Sequence, residues 1–385
     1  MNGANTLPRL LARNVSRWPR RPAWRHRRLG IWETQTWAAF ARRCHDIAAG
    51  LAANGFGRGD RLAVLGDNRP ALYATLLAAQ SLGGVGVPLD PDADSSRLAV
   101  IIEDARISIV VADTADQADR LVSLMDGRGS PARVFCADTG GFDRNDQWAT
   151  RRLDAPKNAP QDSTTTGVEP APQDLALLLY PAAAQSPPLP LSHAQLIAAA
   201  EAIAAADPVR STDEALCYLP MCTYADALYS LTLGLLGGFA CNCPEAPDSV
   251  LRDLREIGPT ILFLPTAACS ALAQVVSSKV EAATGFKRRS FTFFQRLALD
   301  AERRREQGRA LPLGLAVGCQ IGELLAYAPA RDQLGLSRVR WVHTDGPLPS
   351  GTARLLRALG VAPRTADVRA TAPEPTQETV ETLHA

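Results

Sequence analysis

Arg61-Leu-Ala-Val-Leu-Gly66 is a short apolar run that ends in glycine, and Gly84-Val-Gly-Val-Pro-Leu89 is a second run of the same kind. Each run predicts a β-strand, because short runs with β-branched residues that are bounded by Gly, Pro or Asp are typical of buried strands. Residues 69–82, which lie between the two runs, follow a helical pattern. The order strand, helix, strand indicates a βαβ unit with two parallel strands.

The same alternation of short apolar runs and longer helical patterns continues from about residue 36 to residue 360. It predicts an α/β fold of layered parallel sheets flanked by helices. The further predicted strands cover residues 107–112, 133–137, 175–180, 215–219, 260–264, 313–317 and 339–344. The further predicted helices cover residues 37–54, 95–104, 115–125, 192–205, 225–236, 249–257, 266–281, 290–307 and 351–359.

The composition is that of an ordinary soluble protein. The chain has 385 residues, of which 46% are hydrophobic, and this is enough to bury a large core in two subdomains. A net charge of +1 gives no reason to expect a nucleic-acid partner. No apolar run is long enough to span a membrane, and the first residues do not resemble a signal peptide, so we expect a cytoplasmic protein.

Shifts in composition suggest five segments along the chain. Residues 152–173 are rich in Pro, Thr, Asp and Gln and lack periodicity, so they are predicted to be a linker. The segments are a basic N-terminal segment (1–35), a first α/β subdomain (36–151), the linker (152–173), a second α/β subdomain (174–363) and a disordered tail (364–385).

Arginines and two tryptophans are concentrated in residues 13–28. One interpretation is peripheral contact with an anionic membrane surface. The other is a solvated N-terminal face whose Trp18 and Trp24 pack on the first subdomain. Farther along, the arginines and glutamates of residues 302–306 predict an exposed helix face with salt bridges.

The cysteines are scattered through apolar segments and form no C-x-x-C pair, which favours reduced thiols in the core. A cluster that ligates a metal is the alternative interpretation, although the paired spacing of zinc sites is missing. Its members would be Cys217, Cys222, Cys241 and Cys243.

A series of sequence blocks resembles the acyl-adenylate-forming superfamily and, within it, the long-chain fatty-acid–CoA ligases. The blocks are Thr36-Trp-Ala-Ala-Phe40, Ile47-Ala-Ala-Gly-Leu51, residues 57–65, Asp67-Asn-Arg-Pro70, residues 79–85, Val87-Pro-Leu-Asp90, Ile101-Ile-Glu-Asp-Ala105, Ser192-His-Ala-Gln-Leu196, Tyr218-Leu-Pro220, residues 247–260 and residues 334–340. Their order and spacing carry the identification. The resemblance implies the N-terminal domain of these ligases, made of two similar subdomains, and we expect the family's small C-terminal domain to be absent.

The family's glycine-rich phosphate loop reads Y-T-S-G-T-T-G-x-P-K-G-x-x-L-S-H, whereas this chain has Tyr180-Pro-Ala-Ala-Ala-Gln-Ser-Pro-Pro-Leu-Pro-Leu-Ser-His193. A phosphate loop needs converging backbone N–H groups, and proline has none to donate. The family's T-S-G-T-T-G and lysine fall on Pro181, Ala182, Ala183, Ala184, Gln185, Ser186 and Leu189. We therefore expect a degenerate loop, a proline-rich turn that holds no triphosphate.

Two further blocks of the family have also changed. The histidine and glutamate of L-P-x-x-H-x-x-E fall on Thr223 and Asp226, and the simplest role of Asp226 is that of a cap or first-turn acid of the following helix. The block x-G-G-A-P-L-S falls on residues 344–350, where Asp345 replaces a glycine. The simplest role of Asp345 and Ser350 is to cap the helix that begins at Gly351.

The remaining cationic and metal-binding positions are also missing. The family's Y-G-x-T-E falls on residues 367–371, which contain neither the tyrosine nor the glutamate that binds Mg²⁺. The only lysines of the chain are Lys157, Lys279 and Lys287, and none of them lies in these blocks. The resemblance implies a residual pocket lined by Tyr218, Met221, Thr223, Tyr224, Asp226, Thr344, Asp345 and Gly346.

The sequence therefore predicts an acyl-CoA synthetase-like pseudoenzyme with no catalytic residue, no metal and no cofactor. We expect it to bind an acyl chain or acyl-CoA, or a protein partner, and no nucleic acid. The alternative is an active ATP-dependent fatty acid–CoA ligase that uses ATP and Mg²⁺ and is completed by a separate C-terminal chain. A remnant without a selected role is the third hypothesis.

Overall fold

The structure is a computed structural model that describes residues 5–126, 132–137, 169–181, 186–282, 285–323, 327–361 and 363–365. The chain divides into two compact units. The larger unit consists of Met1–Thr212, Cys217–Ala246 and Ala370–Ala385, and the smaller unit consists of Asp213–Leu216 and Pro247–Arg369. Within the described residues, no helix combines the length and the apolar character needed to cross a membrane.

Helices and strands alternate through both units. The helices are α1 (Leu7–Arg17), α2 (Trp37–Ala53), α3 (Pro70–Ser81), α4 (Ser95–Asp104), α5 (Ala115–Asp126), α6 (His193–Ala206), α7 (Tyr224–Asp226), α8 (Leu233–Gly237), α9 (Val250–Ile257), α10 (Thr266–Ala282), α11 (Gly285–Glu306), α12 (Leu313–Gly322), α13 (Ala328–Leu334) and α14 (Ser350–Ala358). The strands are β1 (Pro22–Arg28), β2 (Ile31–Thr36), β3 (Arg61–Leu65), β4 (Val85–Leu89), β5 (Ile109–Ala112), β6 (Arg133–Cys136), β7 (Leu175–Leu179), β8 (Leu189–Ser192), β9 (Glu214–Leu216), β10 (Ala240–Cys243), β11 (Ile261–Phe263), β12 (Trp341–Thr344) and β13 (Pro363–Thr365).

The main sheet of the larger unit has the strand order β6-β5-β3-β4-β7-β8. Its first five strands are parallel, and β8 runs antiparallel to β7. The strand–helix–strand unit predicted from residues 61–89 is confirmed, because β3 and β4 pair in parallel with α3 between them in the chain. Helix α3 is buried along almost its whole length, which explains why its sequence is apolar on every side.

The N-terminal segment is part of the larger unit. Strand β1 pairs antiparallel with β2 and parallel with β10. Trp24 of β1 is buried and stacks on Tyr73 of α3, with ring centroids 4.3 Å apart. The structure thus supports the interpretation in which the tryptophans of residues 13–28 pack on the fold.

The smaller unit contains a parallel sheet in the order β11-β12-β13 and helices from α9 to α14. The prediction of a strand over residues 313–317 is wrong, since this run lies in α12. A short apolar run has no periodicity that separates a strand from a helix, which explains the error. Residues 364 and 365, predicted to begin the disordered tail, lie in β13, and the rest of the tail is outside the described residues.

The division into units differs from the predicted segments. Strand β7 pairs with β4, so residues 175–179 belong to the first sheet rather than to a second subdomain. Sequence composition marks an irregular stretch at 152–173 but cannot show which sheet the next strand joins. Most of that linker, residues 152–168, lies outside the described residues.

Candidate functional site

The turn between β7 and β8 stands where the resemblance places the phosphate loop. Residues Ala182, Ala183, Ala184 and Gln185 lie outside the described residues. Leu189 and Pro190 are the first residues of β8 and pair with Leu179 and Leu178 of β7. The position on which the family's lysine falls is therefore occupied by a leucine that is paired within the β-sheet.

The residues that flank this turn have their polar groups engaged in the fold. The Pro181 carbonyl accepts a hydrogen bond from Arg97 Nη2 at 3.1 Å. Ser192 is the N-cap of α6, where its hydroxyl accepts from the Gln195 backbone at 3.2 Å, and the Gln195 side chain accepts from the Ser192 backbone at 2.9 Å. This reciprocal pair is a capping box, which holds the start of a helix rather than a ligand.

Asp226 lies at the centre of a buried hydrogen-bond network in the larger unit, with 2% of its surface exposed. The Tyr73 hydroxyl donates to its carboxyl group, with Oδ1 at 2.7 Å and Oδ2 at 2.9 Å. Asn68 Nδ2 donates to Oδ1 at 3.1 Å and to the Leu219 carbonyl at 2.9 Å. The network thus joins α3, the segment before it and the last residue of α7.

Burial raises the pKa of Asp226 to about 7, and hydrogen bonds from Ser230, Tyr73 and Asn68 oppose this rise. Burial and the neighbouring Asp226 carboxyl group raise the pKa of Tyr73 well above its ordinary value. Asp226 therefore gains or loses a proton near neutral pH, whereas Tyr73 stays protonated and remains a donor.

The prediction that Asp226 is a first-turn acid is confirmed, and the N-cap is Thr223, whose hydroxyl accepts from the Asp226 backbone at 3.2 Å. Directly after Asp226 the helix widens into a π-helical segment, Ala227–Thr232, before α8. Thr232 Oγ1 donates to the Ala227 carbonyl at 2.7 Å, which satisfies a backbone acceptor of this wider turn. The partners Asn68 and Tyr73 were not predicted, because they lie about 150 residues away in the sequence.

Residues 344–350, on which the family's x-G-G-A-P-L-S block falls, lie in the smaller unit. Asp345 Oδ1 accepts from the Thr266 backbone at 2.7 Å and from its hydroxyl at 2.5 Å, so Asp345 caps α10. The prediction that Asp345 and Ser350 cap the helix at Gly351 is wrong, because that helix begins at Ser350 and its N-cap Pro349 makes no side-chain bond. The Thr344 hydroxyl donates to the Gly346 carbonyl at 2.8 Å.

The predicted residual pocket is thus divided between the units. Tyr218, Met221, Thr223, Tyr224 and Asp226 belong to the larger unit, and Thr344, Asp345 and Gly346 belong to the smaller one. Met221 and Asp226 are buried, while Tyr218, Thr223 and Tyr224 are half-buried. That both sets face one ligand stays a prediction.

A cavity of about 260 Å³ in the larger unit was not predicted. Its lining includes His26, Arg28, Arg69, Asp113 and Glu245. Arg69 donates to Asp113 Oδ2 at 3.2 Å and to the Glu245 carbonyl at 2.9 Å, and it also contacts His26. These contacts within the protein hold the Arg69 guanidinium in place. The sequence signal for this charged cavity was the high number of arginines in residues 13–28, of which Arg27 and Arg28 line it.

The cysteines proposed as an alternative metal site have no metal-site geometry in the described part of the chain, where no group of three or more His, Cys, Asp or Glu side chains could hold a metal ion. Cys217, Cys241 and Cys243 are buried free thiols. Burial is the main cause that raises the pKa of Cys243. A hydrogen bond with Cys217 is the main cause that raises the pKa of Cys241, and burial adds to it.

The family model described as "AMP-binding enzyme" matches residues 11–365. Long-chain-fatty-acid–CoA ligase ACSBG2 of Homo sapiens is 19% identical over 368 residues, which cover 92% of this chain and 54% of that protein. The polyketide synthase-nonribosomal peptide synthetase phmA of Phaeosphaeria nodorum is 38% identical over 86 residues, which cover 22% of this chain and 2% of that protein.

Among solved structures, the N-terminal domain of FACL13 from Mycobacterium tuberculosis superposes with a TM-score of 0.66 at 18% identity, and the match covers 95% of this chain and 77% of that one. This likeness confirms the predicted fold, that of the N-terminal domain of adenylate-forming enzymes. The family model covers most of the chain. The chain therefore belongs to the AMP-binding enzyme family and is similar to its acyl-CoA ligases.

Proposed function

We propose that this chain is an acyl-CoA ligase-like member of the AMP-binding family that binds an acyl ligand but does not activate it with ATP. The observation that carries the proposal is strand β8. In it, Leu189 and Pro190 pair with β7 at the place where the resemblance puts the lysine and the last glycine of the phosphate loop.

The backbone of this turn is poorly suited to a triphosphate. Pro181, Pro187, Pro188 and Pro190 have no N–H, so they cannot contribute to a ring of converging donors. Leu189 offers no positive charge, and arginine at another position is not a ready substitute for a lysine that acts as a point charge. The described residues of the turn do not fit the phosphates of ATP.

The residues on which the family's L-P-x-x-H-x-x-E block falls support the same proposal. The hydroxyl of Thr223 is committed to the helix N-terminus, and Thr223 lacks the titratable ring of the histidine that it replaces. Asp226 is buried and bonded to Tyr73 and Asn68. Removing one preorganised donor at a developing charge typically slows an enzyme by about 10²- to 10³-fold, so the loss of several contacts leaves little catalysis.

We further propose that the acyl ligand, an acyl chain or acyl-CoA, lies against Tyr218, Met221 and Tyr224. The side chains of Tyr218 and Tyr224 are half-buried, and Met221 adds a flexible apolar surface. The likeness to a human long-chain-fatty-acid–CoA ligase supports this class of ligand. A protein partner of the same family is the second ligand class that the proposal allows.

Calorimetric titration of the full chain with ATP and Mg²⁺ tests the central claim, and we expect no heat of binding. A pyrophosphate-release assay with fatty acids is expected to give no signal, with an active family member as the positive control. ATP-dependent formation of an acyl-CoA would refute the proposal and establish an active ligase.

Saturable binding of a fluorescent fatty acid tests the ligand. We expect Tyr224→Ala to weaken it and Leu251→Ala, an exposed apolar residue of the smaller unit, to leave it unchanged. Binding that neither variant alters would contradict the location, while ATP binding would contradict the function itself.

A further inference from the structure

Helix α12 of the smaller unit has apolar residues at every position except Gln320, yet only Gly322 among its residues is buried. Leu313 is 85% exposed, Val317 is 52% exposed and Ile321 is 45% exposed. These residues are spaced four apart, so they form one stripe on the helix. A helix that is apolar on every side is normally enclosed, and an exposed stripe of this kind indicates a surface that meets another phase or molecule.

The other side of α12 is already used. A Cβ on Gly318 would lie 2.9 Å from Leu297 Cδ1, and one on Gly322 would lie 2.8 Å from Phe294 Cδ1. Glycine at these two positions therefore lets α12 approach α11 closely. The Leu313, Val317 and Ile321 stripe is not part of this contact, because its side chains remain exposed.

Helix α11 adds exposed positive charge beside this apolar stripe. Arg289, Arg296 and Arg303 are exposed, and their spacing of seven residues places them on one face of α11 together with Phe293, which is 58% exposed. Asp300 lies on the same helix and is paired with Arg304, at 3.2 Å. Arg309, in the connection to α12, is exposed as well.

We infer that the α11–α12 hairpin, residues 285–322, is a docking surface for an anionic phospholipid bilayer. Aliphatic side chains and a phenylalanine would enter the interfacial region while the arginines contact lipid phosphates. Helix α12, with ten residues, is too short to span a bilayer and fits the plane of its surface. A second copy of the chain would bring two arginine-bearing faces together, so the charge disfavours self-association.

The inference is independent of the proposed function, because no residue of the β7–β8 turn or the Asp226 network takes part in it. Sedimentation of the full chain with lipid vesicles tests it. We expect binding to vesicles of phosphatidylcholine mixed with phosphatidylserine and none to phosphatidylcholine alone. Added salt should weaken the binding, since it screens the arginine–lipid attraction.

The double variant L313S/V317S is expected to weaken vesicle binding by on the order of tenfold or more, because apolar groups no longer enter the interface. Its matched control is L29S/V100S, whose side chains are 87% and 53% exposed in the larger unit. This control should bind as the unaltered chain does. The variant R289Q/R296Q should weaken binding to phosphatidylserine vesicles and reduce its dependence on salt.

Several results would overturn the inference. One is the absence of sedimentation with phosphatidylserine vesicles, and another is equal loss in L313S/V317S and in its control. Loss of binding on R17Q/R20Q alone would assign the contact to the N-terminal segment instead. Concentration-dependent dimers that L313S/V317S abolishes, seen without lipid, would make a second copy the occupant.

Discussion

The Asp226 network and the β7–β8 turn both lie where functional blocks of the family fall on this chain. The network keeps a carboxyl group at the family's position, whereas the turn has lost the family's glycines and lysine. In the network, the carboxyl group persists and is hydrogen-bonded by Tyr73 and Asn68. In the turn, proline and leucine stand in place of glycine and lysine. In these two places, a polar group is present where it forms hydrogen bonds within the fold and is absent where only a ligand would use it.

The largest expected effect is that of removing the centre of the network. Asp226→Ala removes the acceptor of the buried Tyr73 hydroxyl and of the Ser230 side chain, so the free energy of unfolding should fall by about 2–4 kcal/mol. Urea unfolding of the variant and the unaltered chain measures this difference. Asp226→Asn, which keeps an acceptor and the shape, is the control and should lose much less.

A drop below about 0.5 kcal/mol for Asp226→Ala would mean that water replaces the lost partner and that the network is not required by the fold.

The second prediction concerns pH. The pKa of Asp226 is about 7 in the folded chain and near 4 when unfolded, so the folded state holds its proton more tightly. Its contribution to stability is therefore complete below about pH 4 and is lost as the pH rises through about 7. We expect the unaltered chain to lose on the order of 2 kcal/mol relative to Asp226→Asn between about pH 5 and pH 8.

The measurement is the difference in unfolding free energy between Asp226→Asn and the unaltered chain across this range. His193, whose pKa burial lowers to about 4, gives the opposite trend, since its stabilisation is lost as the pH falls from about 6.5. Taking the difference removes the His193 contribution. A difference that does not change with pH would show that Asp226 stays in one protonation state.

The third prediction compares Ser186, within the β7–β8 turn, with Ser192, at the end of β8. Ser192→Ala removes the cap of α6 and should cost about 1 kcal/mol of stability, because a backbone N–H at the helix start loses its acceptor. Ser186→Ala, within the proline-rich turn, should change stability by less than about 0.5 kcal/mol. Thermal unfolding distinguishes them, and an equal cost for both would show that the turn is also ordered by side-chain bonds.

The smallest expected effect is that of restoring one cation to the turn. Leu189→Lys should not create measurable ATP binding in calorimetry, because the surrounding prolines still provide no converging N–H groups. Replacement of the whole turn with the family's glycine-rich sequence is the companion variant. ATP binding by Leu189→Lys alone would contradict the claim that the backbone is the limiting feature.

Local pattern was sufficient for much of the fold. The strand at 61–65 and the helix at 70–81 were predicted within about two residues, because composition and periodicity within the segment decide them. Strand β8 was predicted as part of a turn, since Leu-Pro-Leu-Ser becomes a strand only by pairing with β7. Helix α12 was predicted as a strand for a related reason. Its short apolar sequence is compatible with both a helix and a strand, and its packing against α11 favours the helix.

In the candidate site, too, local features were predicted and contacts between distant residues were not. Asp226 was predicted as a cap or first-turn acid from the local pattern, and Asp345 was recognised as a cap but assigned to the wrong helix. The N-cap residue itself, Thr223, was not predicted. The cap of α10 joins residues that are 79 positions apart. No local rule can identify such a partner.

The amino-acid sequence was sufficient to identify the family, because the order and spacing of its blocks extend over most of the chain. It was also sufficient for the order of most strands and helices and for the chemical character of the β7–β8 turn, because these depend on the residue types within short stretches. Three properties could be read only from the folded chain: the burial of Asp226 against Tyr73 and Asn68, the cap that Asp345 provides for α10, and the exposure of the stripe on α12. These properties depend on which distant segments meet, and burial and hydrogen bonding are set by those contacts.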